Sequence, residues 1–126
     1  MGTRSNTVFF DGRKRILNMY RQYDGYPSGH GLELALCLAG YTLVNGYGEA
    51  DQKTANGVGC LAAFVVLRFK TKTGGIYLAP MNDGDNDYTY TVKLTKKGLT
   101  VTVHEWKTVV FFGSLDEFIT FCKKGE

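Results

Sequence analysis

Tyr20-Arg21-Gln22-Tyr23-Asp24-Gly25-Tyr26-Pro27-Ser28-Gly29-His30-Gly31 is the stretch on which a reading of this chain turns. An alternating segment, Arg15 to Tyr20, leads into it, and an apolar run, Leu32 to Ala39, leaves it. Pro27 blocks continued strand pairing, so the stretch reads as a strand-to-helix turn, a place where folds mount binding groups on a rigid scaffold. Upstream, Asp11-Gly12-Arg13-Lys14 carries the Asp-Gly signature of a β-hairpin between Arg4–Phe10 and Arg15–Tyr23. Alternation puts Asn18, Tyr20, Gln22 and Asp24 on one strand face, a polar stripe, with Leu17, Met19, Arg21 and Tyr23 on the other.

Downstream, a first helix is expected from about His30 to Ala39, with Gly40 as its C-cap. Only Glu33 is polar between Leu32 and Ala39, so this helix is apolar nearly all round. A small domain cannot easily bury such a helix on every side, which points to a subunit interface and a homo-oligomer. Tyr41 to Thr54 reads as a connection with turns at Asn45-Gly46 and Tyr47-Gly48. Asn56 or Gly57 would then cap a second apolar helix over Cys60–Leu67, with Arg68 and Lys70 suiting the dipole at its end. A buried strand competes over Phe64–Phe69, but Ala62 and Ala63 are poor strand formers.

The second half is plainer. Ile76–Ala79 reads as a strand ended by Pro80, and Asn82–Asp87 as an acidic loop. Tyr88–Leu94 and Leu99–Glu105 alternate about the turn Lys96-Lys97-Gly98, and Thr108–Phe112 makes a last strand. Ser114-Leu115-Asp116-Glu117 is a capping box before Leu115, Phe118, Ile119 and Cys122 at helical spacing. The sum is one α+β domain over residues 1–126: an antiparallel sheet, two apolar helices in the first half and a C-terminal amphipathic helix.

Composition sets limits. A net charge of +3 is too small to mark a nucleic-acid binder, although Arg4, Arg13, Lys14, Arg15 and Arg21 face only Asp11 early in the chain. Cys37, Cys60 and Cys122 are odd in number and lie in apolar runs, which favours buried thiols in a reducing compartment. The first residues lack the apolar core of a secretory signal, and no apolar run approaches a membrane span. No membrane partner and a cytoplasmic location are the expectations. Asn6 stands where a myristoylation motif needs Ser or Thr.

Asp83, Asp85 and Asp87 copy the start of a calcium loop, but Tyr88 and Leu94 replace its Gly and Glu, so no metal is expected. His30 opens a helix, where the dipole favours the neutral imidazole; beside Asp24 it would serve as a general base or simply hold the turn. Gly57-Val58-Gly59 at a helix start offers backbone N–H groups to an anion, or is only a tight turn, with no strand expected before it. Arg4, Tyr20, Arg21, Asp24, Tyr26, His30, Asn56 and Gly57 would together suit a nucleotide: arginines for phosphate, tyrosines for the base, Asp24 for a ribose or base edge. No cofactor is implied.

Met1-Gly2-Thr3-Arg4-Ser5, Met19 to Gly31 and Asn56 to Ala63 resemble a family of small proteins of tailed-phage, prophage and other viral genomes. The resemblance covers the chain from Met1 to about Tyr90. It implies a viral accessory protein acting in the cytoplasm of an infected host, and supplies no reaction. By analogy with small phage proteins that sequester nucleotide signals, the expected function is a non-enzymatic host-defence antagonist binding a nucleotide-like signalling molecule. Two alternatives stand beside it. One is a protein–protein inhibitor of a host defence factor; the other is a small nucleotide or nucleic-acid hydrolase using Asp24 and His30.

Overall fold

The computed structural model describes residues 2–44, 53–83 and 86–125. The hairpin forms as its turn dictates: β1 (Ser5–Asp11) pairs antiparallel with β2 (Lys14–Arg21) across Gly12-Arg13, with a bulge after Phe9. A single wide π-helical turn, Pro27–Gly31, runs directly into α1 (Leu32–Ala39), so the regular α-helix begins two residues later than expected. Gly40 ends α1 at the expected place but in the right-handed region, not as a left-handed cap. β3 (Thr42–Val44) and β4 (Thr54–Asn56) pair parallel in a small separate sheet. The turns expected at Asn45-Gly46 and Tyr47-Gly48 lie outside the described residues. α2 (Gly57–Phe69) is a helix, as the alanines favoured.

β5 (Ile76–Leu78), β6 (Tyr88–Thr95), β7 (Gly98–Glu105), β8 (Thr108–Ser114) and α3 (Leu115–Lys123) complete the chain. Ser114 and Glu117 close both halves of the predicted capping box. The protein is α+β, with a six-stranded sheet in the order β5-β2-β1-β6-β7-β8. The sheet is mixed, not purely antiparallel: β1 and β6 run parallel at its centre, from Ser5↔Tyr88 to Phe10↔Lys93. Alternation within each strand cannot reveal this, because both pairing modes share the same period.

The helices cover one face of the sheet. Phe9, Leu17, Met19, Tyr90, Val92, Val101 and Val103 meet Leu34, Leu38, Leu61, Val65 and Phe118 there in one core. Leu36 on α1 and Leu67 on α2 stay exposed, so neither apolar helix is enclosed by its own chain. The polar stripe of β2 lies on the opposite face, where the segment from β5 to β6 crosses it. Asn18 Nδ2 donates to the carbonyls of Pro80 (2.7 Å) and Asp83 (2.8 Å) and its Oδ1 accepts from Asn6 (2.7 Å). Asn86 donates in turn to Asn6. Buried amides thus replace water for a backbone that has no ladder of its own. No helix among the described residues is long and apolar enough to cross a membrane.

Candidate functional site

The Tyr20–Gly31 stretch folds into the junction of the molecule. Gly25 N–H donates to the Thr3 carbonyl (2.9 Å), the Tyr90 hydroxyl donates to the Gly25 carbonyl (2.7 Å), and His30 N–H donates to the Asp24 carbonyl (2.8 Å). A side chain at Gly25 would strike Ser5 at 2.8 Å, and one at Gly31 would press on Cys122 and Tyr90. The glycines are therefore spacing devices that let β1, β6 and α3 close on the turn.

His30 is completely buried, its ring 4.9 Å from Phe69 and 5.2 Å from Tyr90 by centroids. Arg21 Nη1 lies 3.3 Å from Nδ1, and because a guanidinium only donates, Nδ1 must accept. The proton then sits on Nε2 and is donated to Thr7 Oγ1 at 2.6 Å. Burial first, and the Arg21 charge second, lower the imidazole pKa to about 3. The expected neutrality holds, but burial is its main cause. The pairing of His30 with the Asp24 carboxylate is not found: Asp24 offers His30 its backbone carbonyl, while its side chain turns outward to Arg21 and Tyr26. Both ring nitrogens are engaged within the protein and the ring is enclosed.

The other expected site residues do not converge. Tyr20 and Arg21 are neighbours on β2 and so face opposite sides of the sheet. Tyr20 lies with Arg4, Tyr77 and Asn86 beside the crossing segment, and Arg4 is engaged with Asp87. Asn56 and Gly57 lie near Asp11, Lys96 and Leu99, at the other end of β1 from Ser5. A strand of this length spans about 20 Å, too far for one mononucleotide to bridge both ends. A strand, β4, does precede Gly57, contrary to expectation, and the Asn56 side chain does not cap α2. The single pocket expected from these eight residues is thus split among three places: alternation already parts Tyr20 from Arg21, and the length of β1 parts both from Gly57.

One cleft gathers charge. It encloses about 310 Å³ between the end of β2, the first turn of α1 and the segment after α2, lined by Arg21, Tyr23, Asp24, Glu33, Arg68, Phe69, Thr71, Lys72, Gly74, Gly75 and Ile76. Arg21 is held by four partners: Nε donates to the Tyr23 carbonyl (2.6 Å), Nη1 to Glu33 (2.7 Å) and His30, and Nη2 stands 4.0 Å from Asp24. Its guanidinium lies 5.8 Å from the centre of the Phe69 ring, and that of Arg68 lies 5.9 Å away. Lys70 Nζ donates to the carbonyls of Gly74 (3.1 Å) and Ile76 (2.8 Å), stapling the loop that carries Thr71 and Lys72. Gly74 and Gly75 both take positive φ (80° and 73°), so this loop needs glycine there.

Glu33 and Asp24 both face Arg21 and exceed its charge by one, so with Arg68 and Lys72 the lining is net positive by one. Among the described residues neither Arg68 nor Lys72 is in an ion pair, so the cleft keeps uncompensated positive charge on one wall. Tyr23, exposed at the rim, adds an aromatic face. Sequence reasoning assigned Arg68 to the helix dipole and passed over Lys72. The signal available was the basic, glycine-ended run Arg68-Phe69-Lys70-Thr71-Lys72-Thr73-Gly74-Gly75 directly after an apolar helix. Among the described residues no cluster of His, Cys, Asp and Glu is poised to hold a metal, and Asp85 of the acidic loop lies outside them.

Comparison with protein families, with curated proteins and with solved structures returns no match to this chain. Chemistry at the cleft must therefore carry the functional reading.

Proposed function

We propose that this chain binds a nucleotide-like phosphorylated ligand in the Arg21–Arg68–Lys72 cleft without transforming it, and that it acts as a viral accessory protein withdrawing such a signal from host defence. The observation that carries the binding is the pair of cations, Arg68 and Lys72, without carboxylate partners among the described residues, on a cleft walled by Phe69. Phosphate meets these two charges, and a base has the Tyr23 ring at the rim. Arg21, already bonded on every side, orders the wall, while Asp24 and Glu33 are acceptors for ribose hydroxyls or base amino groups. The volume matches the smaller ligand pockets, which begin at about 300 Å³. The viral setting rests on the resemblance of the Met1–Ser5 and Met19–Gly31 motifs.

Titration calorimetry with inorganic phosphate and with nucleoside mono- and diphosphates tests the binding. Arg68→Ala and Lys72→Ala should each weaken it by about 10- to 100-fold, the worth of a charged hydrogen bond. Arg4→Ala and Tyr20→Ala, on the other face, should leave it unchanged. No heat with any of these probes, or undiminished affinity in the Arg68→Ala/Lys72→Ala double variant, removes the proposal. A protein partner is the second reading, favoured by Leu36, which stands 53% exposed beside Leu32 and Cys37 in an adjoining depression.

A further inference from the structure

The two edges of the large sheet are finished differently. β5 is three residues long and is followed by Pro80, features that discourage pairing by another strand. β8, the opposite edge, runs seven residues as Thr108-Val109-Val110-Phe111-Phe112-Gly113-Ser114, with no charge and no proline. Thr108 to Phe112 are strong strand formers, and Val109, Val110 and Phe112 are 54%, 39% and 68% exposed. Pairing of Phe112 with Thr102 and of Val109 with His104 sets those two side chains on the sheet face away from the helices. Phe111 turns the other way, onto Phe118 and Phe121 of α3. Val110 is the extra residue of a bulge against β7, the one edge-blunting feature this strand carries, and its backbone groups are left out of that ladder.

We infer that β8 is a homodimer interface, in which a second copy of this chain adds its own β8 antiparallel to the edge and joins the two sheets into one. The strand suits itself as a partner. Antiparallel pairing about a twofold axis near Phe111 lays uncharged residues on uncharged residues, and places Val109 and Val110 of one copy beside Phe112 of the other. The charges that flank the strand match in the same arrangement. Lys107 precedes it and Asp116 follows it, so each end brings a cation toward a carboxylate. A parallel arrangement would set like charge on like charge. A seam of seven residues a side is short beside a standard interface of roughly 800 Å² per partner, so a weak, concentration-dependent dimer is expected.

Sedimentation equilibrium of the full chain over micromolar concentrations tests the inference. The expected result is a reversible monomer–dimer equilibrium that Phe112→Lys weakens about tenfold or more, because two buried apolar contacts are lost per dimer. Val109→Lys should act in the same direction, and both substitutions fall at exposed positions, so the circular-dichroism spectrum should stay that of the parent. Should either variant fold poorly, hydrogen exchange of the unaltered chain decides: amides of β8 should gain protection as concentration rises. A chain that stays monomeric throughout overturns the inference. So does a dimer indifferent to both β8 variants but dissociated by Leu36→Lys or Leu67→Lys, which would put the interface on the helices.

Discussion

Thr7 and His30 are joined at 2.6 Å, hydroxyl to Nε2, across the inner face of β1. Nε2 donates in this bond, and it is the bond at the other nitrogen, where Nδ1 accepts from Arg21, that needs a neutral ring. Protonation would oppose two donors and place a buried charge beside a guanidinium.

Stability should consequently fall with pH. The unfolded chain binds a proton on His30 near pH 6.5, whereas the folded chain resists until about pH 3. Between those values the unfolded state holds more protons, so the contribution is complete above pH 6.5 and is lost as pH falls. The slope from this group is at most about 1.4 kcal/mol per pH unit. Urea unfolding at a series of pH values should show it, and His30→Gln should flatten the profile between pH 6 and 4. An unchanged profile in that variant would assign the acid sensitivity elsewhere.

Tyr90 and Gly25 make the second prediction. The Tyr90 hydroxyl is buried and its pKa is pushed far up, chiefly by desolvation, so it remains a donor at any working pH. Tyr90→Phe keeps the ring contacts with His30 and Phe118 but orphans the Gly25 carbonyl. A loss of about 1–3 kcal/mol in unfolding free energy is expected. A loss near zero would show that water takes the place of the hydroxyl.

Asn18 makes the third. Asn18→Ala removes its bonds to Asn6, Pro80 and Asp83 and should cost about 2–4 kcal/mol, the range for breaking a buried polar network. The damage should be local first, with faster hydrogen exchange at Ala79 and Asp83, whose backbone N–H groups are bonded near this anchor. Faster exchange confined to α3 would contradict the assignment.

Most elements were legible because they rest on local chemistry. Asp11-Gly12 sets one hairpin, Lys96-Lys97-Gly98 the other, and Ser114 with Glu117 starts α3, each within a few residues. What sequence could not show was long-range. The parallel β1–β6 pairing leaves no local mark, and β3 and β4 are three-residue strands held by each other. The site suffered most. Chemically apt residues such as Arg4, Tyr20 and Gly57 were grouped by type, whereas strand alternation and the length of β1 send them to separate places. The Tyr20–Gly31 stretch was rightly singled out as an organising turn. Its His30 and glycines serve contact, and only Arg21, Tyr23 and Asp24 reach the cleft.

The parallel β1–β6 seam also sets an order of events during synthesis. β1 and β2 leave the ribosome early and can close at once through their own turn, yet one side of β1 stays bare until β6 arrives. Over that interval a half-sheet waits with open hydrogen-bonding groups along β1 and, beside α1 and α2, an apolar surface still lacking α3. Stalled or clipped chains that end before Tyr88 would carry this vulnerable half-sheet into the cell. Chaperone demand and degradation should concentrate in that window, while the finished chain, its seam closed, escapes both.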